Sequence, residues 1–197
     1  MANSVMDPKA YLLQTATESR AAFDDFLTLN QDSLVQAARK IGQCVKEGGK
    51  LLILGNGGSA ADAQHMAAEM VGKMLVDRRP LPAIALTTDS SNITAIGNDF
   101  GYDQVFVKQV QALAKAGDVV LAISTSGNSK NVIFAVEEAK KKGCLVITLT
   151  GGSGGKLKAL GDLALNVAQG KNSSRIQESH IFAVHSMVDL LDRFFLD

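Results

Sequence analysis

The sequence predicts an α/β protein: a three-layer α/β/α, doubly wound, five-stranded parallel sheet with a helical hairpin at the N-terminus. Three observations carry this expectation. Short apolar runs recur at Leu51–Leu54, Ala83–Leu86, Val119–Ile123, Leu145–Leu149 and Leu163–Val167, each bounded by Gly, Asp, Asn, Ser or Thr. Stretches of helical periodicity separate them. The runs are continuously apolar rather than alternating, as in parallel strands covered on both faces.

Two helical stretches open the chain. Residues from about Pro8 to Leu29 carry Tyr11, Leu12, Ala16, Ala22, Phe23 and Phe26 at mostly helical spacing. Residues from about Gln31 to Glu47 carry Leu34, Ala37, Ile41 and Val45, and the Asn30–Ser33 region reads as the turn between the two. Further helices are expected at about Ser59–Leu75, Ser90–Gly97 with Asp103–Ala116, Ser129–Lys142, Lys156–Leu160 and Ser174–Phe195. No repeat, low-complexity tract or interdomain linker breaks the series. One domain over 1–197 is expected, with helices at 1–48 and the α/β core and last helix at 49–197.

With 197 residues, 46% of them hydrophobic, the chain can bury a sizeable core. Twenty basic and twenty acidic residues cancel, which argues against a broad nucleic-acid or anionic-membrane surface. There is no Trp and aromatics are scarce, so a base-stacking single-strand binder is disfavoured. Cys44 and Cys144 stand far apart without CxxC spacing and read as free thiols. Met1–Lys9 has no apolar core of signal-peptide length and no run reaches membrane-spanning length, so the cytoplasm is expected.

In this architecture ligands sit beyond the carboxyl ends of the strands, where connections reverse direction. The most informative such segment is Ser124-Thr125-Ser126-Gly127-Asn128-Ser129. Its hydroxyls and N–H groups, at the positive end of the following helix, suit a phosphate. Hydroxyl-rich turns are also ordinary helix caps. Gly55-Asn56-Gly57-Gly58-Ser59 opens the helix after the first strand and lets a ligand approach the backbone. It also fits a loose G-x-G-x-x-A dinucleotide pattern. The acid expected ~20 residues later is missing, however, since Asp89 at the second strand's end lies well beyond that distance. Thr150–Gly155 reads better as a flexible tight connection, and Gly97-Asn98-Asp99 as a local turn.

Helical projection of the segment after Gly58 puts Asp62, His65, Glu69 and Lys73 on one polar stripe, opposite Ala63, Met66, Ala67, Met70 and Met74. The i, i+4 pair His65 and Glu69 suits a shared proton or a metal, although a solvated helix face has the same pattern. In the last helix His180 falls within the apolar stripe, as a packed histidine would. His185 lies at the stripe's edge, about 140° away, near Glu178 and Gln177. A carboxylate and an imidazole beside a phosphate pocket fit proton transfer between adjacent sugar carbons through an enediol.

Gly55–Ser59, Asp62-Ala63-Gln64-His65 with Glu69, Gly97-Asn98-Asp99, Ser124–Ser129 and Arg175-Ile176-Gln177-Glu178 together make the chain resemble the sugar isomerase (SIS) domain family over nearly its whole length. Within it, the resemblance is to the branch that interconverts sedoheptulose 7-phosphate and D-glycero-D-manno-heptose 7-phosphate for ADP-heptose and lipopolysaccharide precursors. The resemblance implies a flavodoxin-like SIS fold. It makes Asn56, Gly57, Gly58 and Ser59 the substrate loop and Ser124, Thr125, Ser126 and Ser129 the phosphate cradle. Asn98, Asp99 and Gln177 would contact the sugar. Glu69 would be the general base and also touch substrate, with His185 the general acid. One zinc per subunit is implied on His65, Glu69, Gln177 and His185. A cytoplasmic homotetramer with shared active sites is implied too, the N-terminal helices serving oligomerisation. Where some members carry Asp before Arg175, this chain has Ser174.

Two other functions compete with this one. A non-catalytic SIS protein that binds the replication initiator DnaA would lack the acid–base pair, which is present here. A phosphosugar-sensing domain of a transcription regulator would normally come with a DNA-binding segment and a basic surface, and this chain offers neither.

Overall fold

The computed structural model describes residues 7–196. The reading of Met1–Lys9 as lacking a leader falls largely on Met1–Met6, outside the described residues. The chain runs α1 (Pro8–Lys46), β1 (Leu51–Gly55), α2 (Gly58–Val71), β2 (Ala83–Ala85), α3 (Ser90–Phe100), a 3₁₀ turn at Tyr102–Gln104, and α4 (Val107–Leu113). It continues through β3 (Val119–Ser124), α5 (Lys130–Lys141), β4 (Leu145–Gly151), α6 (Gly155–Lys158), β5 (Leu163–Val167) and α7 (Ser173–Leu190). A π-helical turn at Leu191–Phe195 follows α7 directly.

All pairings are parallel, in the order β2-β1-β3-β4-β5. The order reverses at β1: β2 lies on one side of it and all later strands on the other. Each of the five expected apolar runs is a strand. β1 and β3 are buried at every position, whereas β2 is an edge strand with Ile84 partly exposed. Alternate residues feed two cores. Leu51, Ile53, Leu121, Ile123 and Leu149 pack under α1, α2 and α7. Leu52, Leu54, Val120, Ala122 and Val146 pack against Val110 of α4, Val136 of α5 and Leu157 of α6. Burying side chains of this size is worth roughly 1.5–3 kcal/mol each.

The N-terminal hairpin expected from the sequence is not formed: α1 is one helix of 39 residues. No Gly or Pro interrupts the chain near Asn30, and the buried stripe Ala22, Phe26, Asn30, Leu34, Ala38, Ile41, Val45 runs unbroken through it. The Asn30 amide does not turn the chain. It donates to the Phe26 carbonyl (2.7 Å) and pairs with the Asn166 backbone, Nδ2 to O at 3.3 Å and Oδ1 from N–H at 3.1 Å. A residue read as a turn former thus satisfies strand β5 from inside a helix. Asp7 caps the start with Pro8 at the first position. At the end Gly48, with φ +83°, lets its N–H reach the Val45 carbonyl and that of Gly49 reach Cys44, a Schellman stop. The helix expected over Asp103–Ala116 is also shorter, entered through the 3₁₀ turn.

Candidate active site

The order reversal places the carboxyl ends of β1 and β3 side by side, with Gly55 opposite Ile123. The loops leaving these strands open α2 and α5, and neither Gly57 nor Ser129 caps its helix with a side chain; in α5 the Val132 N–H is met instead by Asn131 Oδ1 at 3.0 Å. By contrast α1, α3 and α7 are capped by Asp7, Asp89 and Asn172. Two helix N-termini without a bonded N-cap side chain therefore face the reversal point, an arrangement that favours an anion.

Within the hydroxyl loop, Ser129 leaves α5 uncapped because its Oγ pairs with Ser124 Oγ at 3.1 Å. Ser126 Oγ accepts the Asn128 N–H (3.2 Å), and Thr125 Oγ1 lies 3.5 Å from Ser173 Oγ. Gly127, with φ +63°, runs against the loop after β4: a Cβ on it would strike the Gly154 carbonyl, and one on Gly155 would lie 2.6 Å from the Ser126 carbonyl. The glycines after β4 therefore set the rim of this cradle by backbone packing, as well as making a tight connection.

In the β1–α2 loop Gly57 and Gly58 are exposed, but Ser59 is buried. A Cβ on Gly58 would overlap the amide of Gln177, so α7 packs directly on this loop. The Asn56 side chain is engaged by two residues the sequence reading missed. Asn56 and Asn131 exchange amide hydrogen bonds at 2.9 Å each way, and Tyr102 Oη donates to Asn56 Oδ1 at 3.0 Å. Asn131 sits in the first turn of α5, a local setting that hides a partner 75 residues away.

The acid–base candidates come together from α2 and α7. His65 Nε2 lies 3.0 Å from His185 Nε2 and 3.3 Å from Glu69 Oε1, with the two imidazole rings edge to face. At that separation one ring nitrogen must supply a proton and the other accept it. His65 is thus the hinge of the set, and Glu69 and His185 meet across it. Among the described residues, no three His, Cys, Asp or Glu side chains already converge as a metal cage. The donor types nevertheless suit zinc: two nitrogens on one tetrahedral zinc stand about 3.3 Å apart, close to the spacing here. Asp62, a turn earlier, is half-buried, and that burial pushes its carboxyl up to about 6 while His65 pulls it back.

His180 is fully buried, its Nε2 within 3.1 Å of the Thr150 carbonyl, and burial drives its pKa down to about 4. It belongs to the core, as its place in the apolar stripe implied. Asn98 and Asp99 are exposed near the end of α3, hydrogen-bonded to each other (2.8 Å). No hydrogen bond among the described residues ties them to the cradle or to the His65 cluster.

A family model described as the SIS domain matches residues 16–151. The chain is 51% identical over 190 residues to the probable phosphoheptose isomerase of Thermoplasma acidophilum, covering 96% of this chain and all of that one. Among solved structures it superposes on a phosphoheptose isomerase from Neisseria gonorrhoeae with TM-score 0.89 at 48% identity, covering 94% and 99% of the two chains. A phosphoheptose isomerase from Francisella tularensis gives TM-score 0.92 at 40% identity, covering 95% and 100%.

Proposed function

The chain belongs to the SIS domain family, and from that premise we propose that it is an aldose–ketose isomerase interconverting sedoheptulose 7-phosphate and D-glycero-D-manno-heptose 7-phosphate, in the supply of ADP-heptose. The observation that carries the chemistry is the meeting of Glu69 and His185 across His65.

The phosphate sits on the hydroxyls of Ser124, Thr125, Ser126 and Ser129 and on the N–H groups opening α5. Gly57, Gly58 and the backbone of Asn56 and Ser59 line the sugar's approach, with Gln177 against them and Asn98 and Asp99 at its outer side. Glu69 removes a proton from C1 of the ketose while His185 delivers one to O2, giving the enediol. Return of the first proton to C2, with loss of the O1 proton, completes the aldose. Each group contributes on the order of 10²–10⁴ in rate. The remote phosphate holds the register.

A zinc ion on His65, Glu69, Gln177 and His185 is part of this reading, and bound there it would polarise the sugar oxygens. A metal-bound Glu69 would be a weaker base, so the two roles compete at one carboxylate.

The working form is a homotetramer of single-domain subunits. In support, Tyr11, Leu12, Leu13 and Leu29 leave apolar surface exposed on α1. A groove of about 490 Å³ is lined by Leu27, Leu34, Val35, Phe182 and Leu190, and another of about 410 Å³ opens beside His185. A neighbouring subunit seated there would complete the site. No helix among the described residues is long and apolar enough to cross a membrane, and the cytoplasm is the proposed location.

The test is an NMR assay with sedoheptulose 7-phosphate, with and without a chelator, alongside metal analysis. Appearance of the aldose phosphate and one zinc per chain is expected. No turnover by metal-replete protein would overturn the isomerase reading, and full occupancy of zinc after His65→Ala would overturn the ligand set.

A further inference from the structure

α2 ends without any of the usual devices. Its last turn has no basic residue, and Gly72 beyond it is not left-handed (φ −84°). Carbonyls at this end are instead met by the side chain of Arg78, that of Met70 being shared with the Leu81 N–H at 3.0 Å. Arg78 Nη2 donates to the Glu69 carbonyl (2.9 Å), and its Nη1 donates to those of Met70 (2.9 Å) and Gly72 (3.1 Å). Its Nε donates to Asp192 Oδ1 at 2.7 Å, an ion pair with side chains only 8% and 1% exposed. Asp192 lies in the π-helical turn continuing α7, the helix that carries His185. The other oxygen, Asp192 Oδ2, is buried without a hydrogen-bond partner among the described residues, so Arg78 is its one strong neutralising contact there.

We propose that Arg78 is a positioning residue of the catalytic pair. It clamps the backbone of Glu69 to the far end of the helix bearing His185, and so sets the separation of base and acid. The inference rests on the isomerase reading above. The planar fork is what the role needs: four carbonyls, that of Arg79 included at 3.3 Å, and a carboxylate lie around one guanidinium, a pattern that a lysine ammonium cannot reproduce. A shift of about 1 Å in such a pair is enough to cost on the order of 10²-fold in rate. The phosphate cradle, in the loop between β3 and α5, makes no hydrogen bond to Arg78 or Asp192 among the described residues, so substrate affinity is insulated from the clamp.

The experiment compares Arg78→Lys and Asp192→Asn with the parent and with Arg79→Lys, its exposed neighbour. Steady-state kinetics on sedoheptulose 7-phosphate are combined with ring resonances of the three histidines. For both clamp variants, kcat is expected to fall about 10- to 100-fold with the half-saturating concentration within about twofold of the parent. The His65 and His185 rings should shift while the His180 ring stays in place, and Arg79→Lys should match the parent. The proposal is overturned if kcat is retained, if kcat and half-saturation change together, if all three rings move, or if both variants lose the folded state. A parent protein with no turnover would sink the isomerase reading instead. The ring resonances would still report separately on the clamp.

Discussion

The side-chain amides of Asn56 and Asn131 hold one another in a reciprocal pair, each Nδ2 donating to the other's Oδ1 at 2.9 Å. The pair bridges the loop that leaves β1 and the first turn of α5, at the point where the sheet order reverses. It makes one wall from two segments far apart in sequence, and Tyr102 braces it from outside.

Replacing Asn131 by Ala strips Asn56 of one donor and one acceptor in a largely buried setting. The expected cost is roughly 1–3 kcal/mol of stability, read as a lower urea midpoint at unchanged slope. Weaker substrate binding should accompany it. A variant as stable as the parent would show that the pair is replaced by solvent without loss.

Glu69→Gln and His185→Gln keep the shape of the site and remove the proton-transfer groups. Turnover should drop by ~10²–10⁴ in each, with ligand binding retained in a titration. Near-full activity in either variant would remove that residue from the chemistry.

Ser124→Ala and Ser126→Ala delete donors that serve the phosphate throughout the reaction. Half-saturating substrate should rise roughly tenfold, as expected for one hydrogen bond to a charged group, while kcat holds. A fall confined to kcat would mean the loop acts on the reacting carbons rather than on the ester.

His180 gives a pH dependence of known sign. Its pKa is driven by burial down to about 4 in the folded protein, below the ordinary histidine value of about 6.5. The unfolded chain therefore takes up the proton first as pH falls. The stabilisation linked to the neutral ring is present above about pH 6.5 and is lost progressively towards pH 4, roughly 3 kcal/mol at the limit. Denaturant midpoints measured from pH 7.5 to 4 should show this loss in the parent and a smaller one in His180→Leu. Equal slopes in both would assign the acid sensitivity elsewhere.

The five strands, the helices between them and the separation of His180 from His185 were legible because each depends on local periodicity. The Asn30 region misled because a side-chain amide that starts turns in isolation can serve a strand edge from a helix, and its partner Asn166 lies 136 residues on. Asn131 was invisible for the same reason. Glu69 and His65 could be paired by helical spacing alone, whereas the approach of His185 depends on how α2 lies against α7. The wall and the clamp, being long-range polar contacts, carry no local signature.

Where the hydroxyl loop meets the loop after β4, Gly127 and Gly154–Gly155 touch main chain to main chain. Atoms common to every amino acid thus fix the width of the cradle's mouth, and no exchange of one side chain for another can restore it once lost. These positions should drift as a single hereditary unit. A saturation library over Gly127 and Gly155 should return glycine at both even when selection is relaxed to folding, while Thr125 and Asn128 between and beside them diversify.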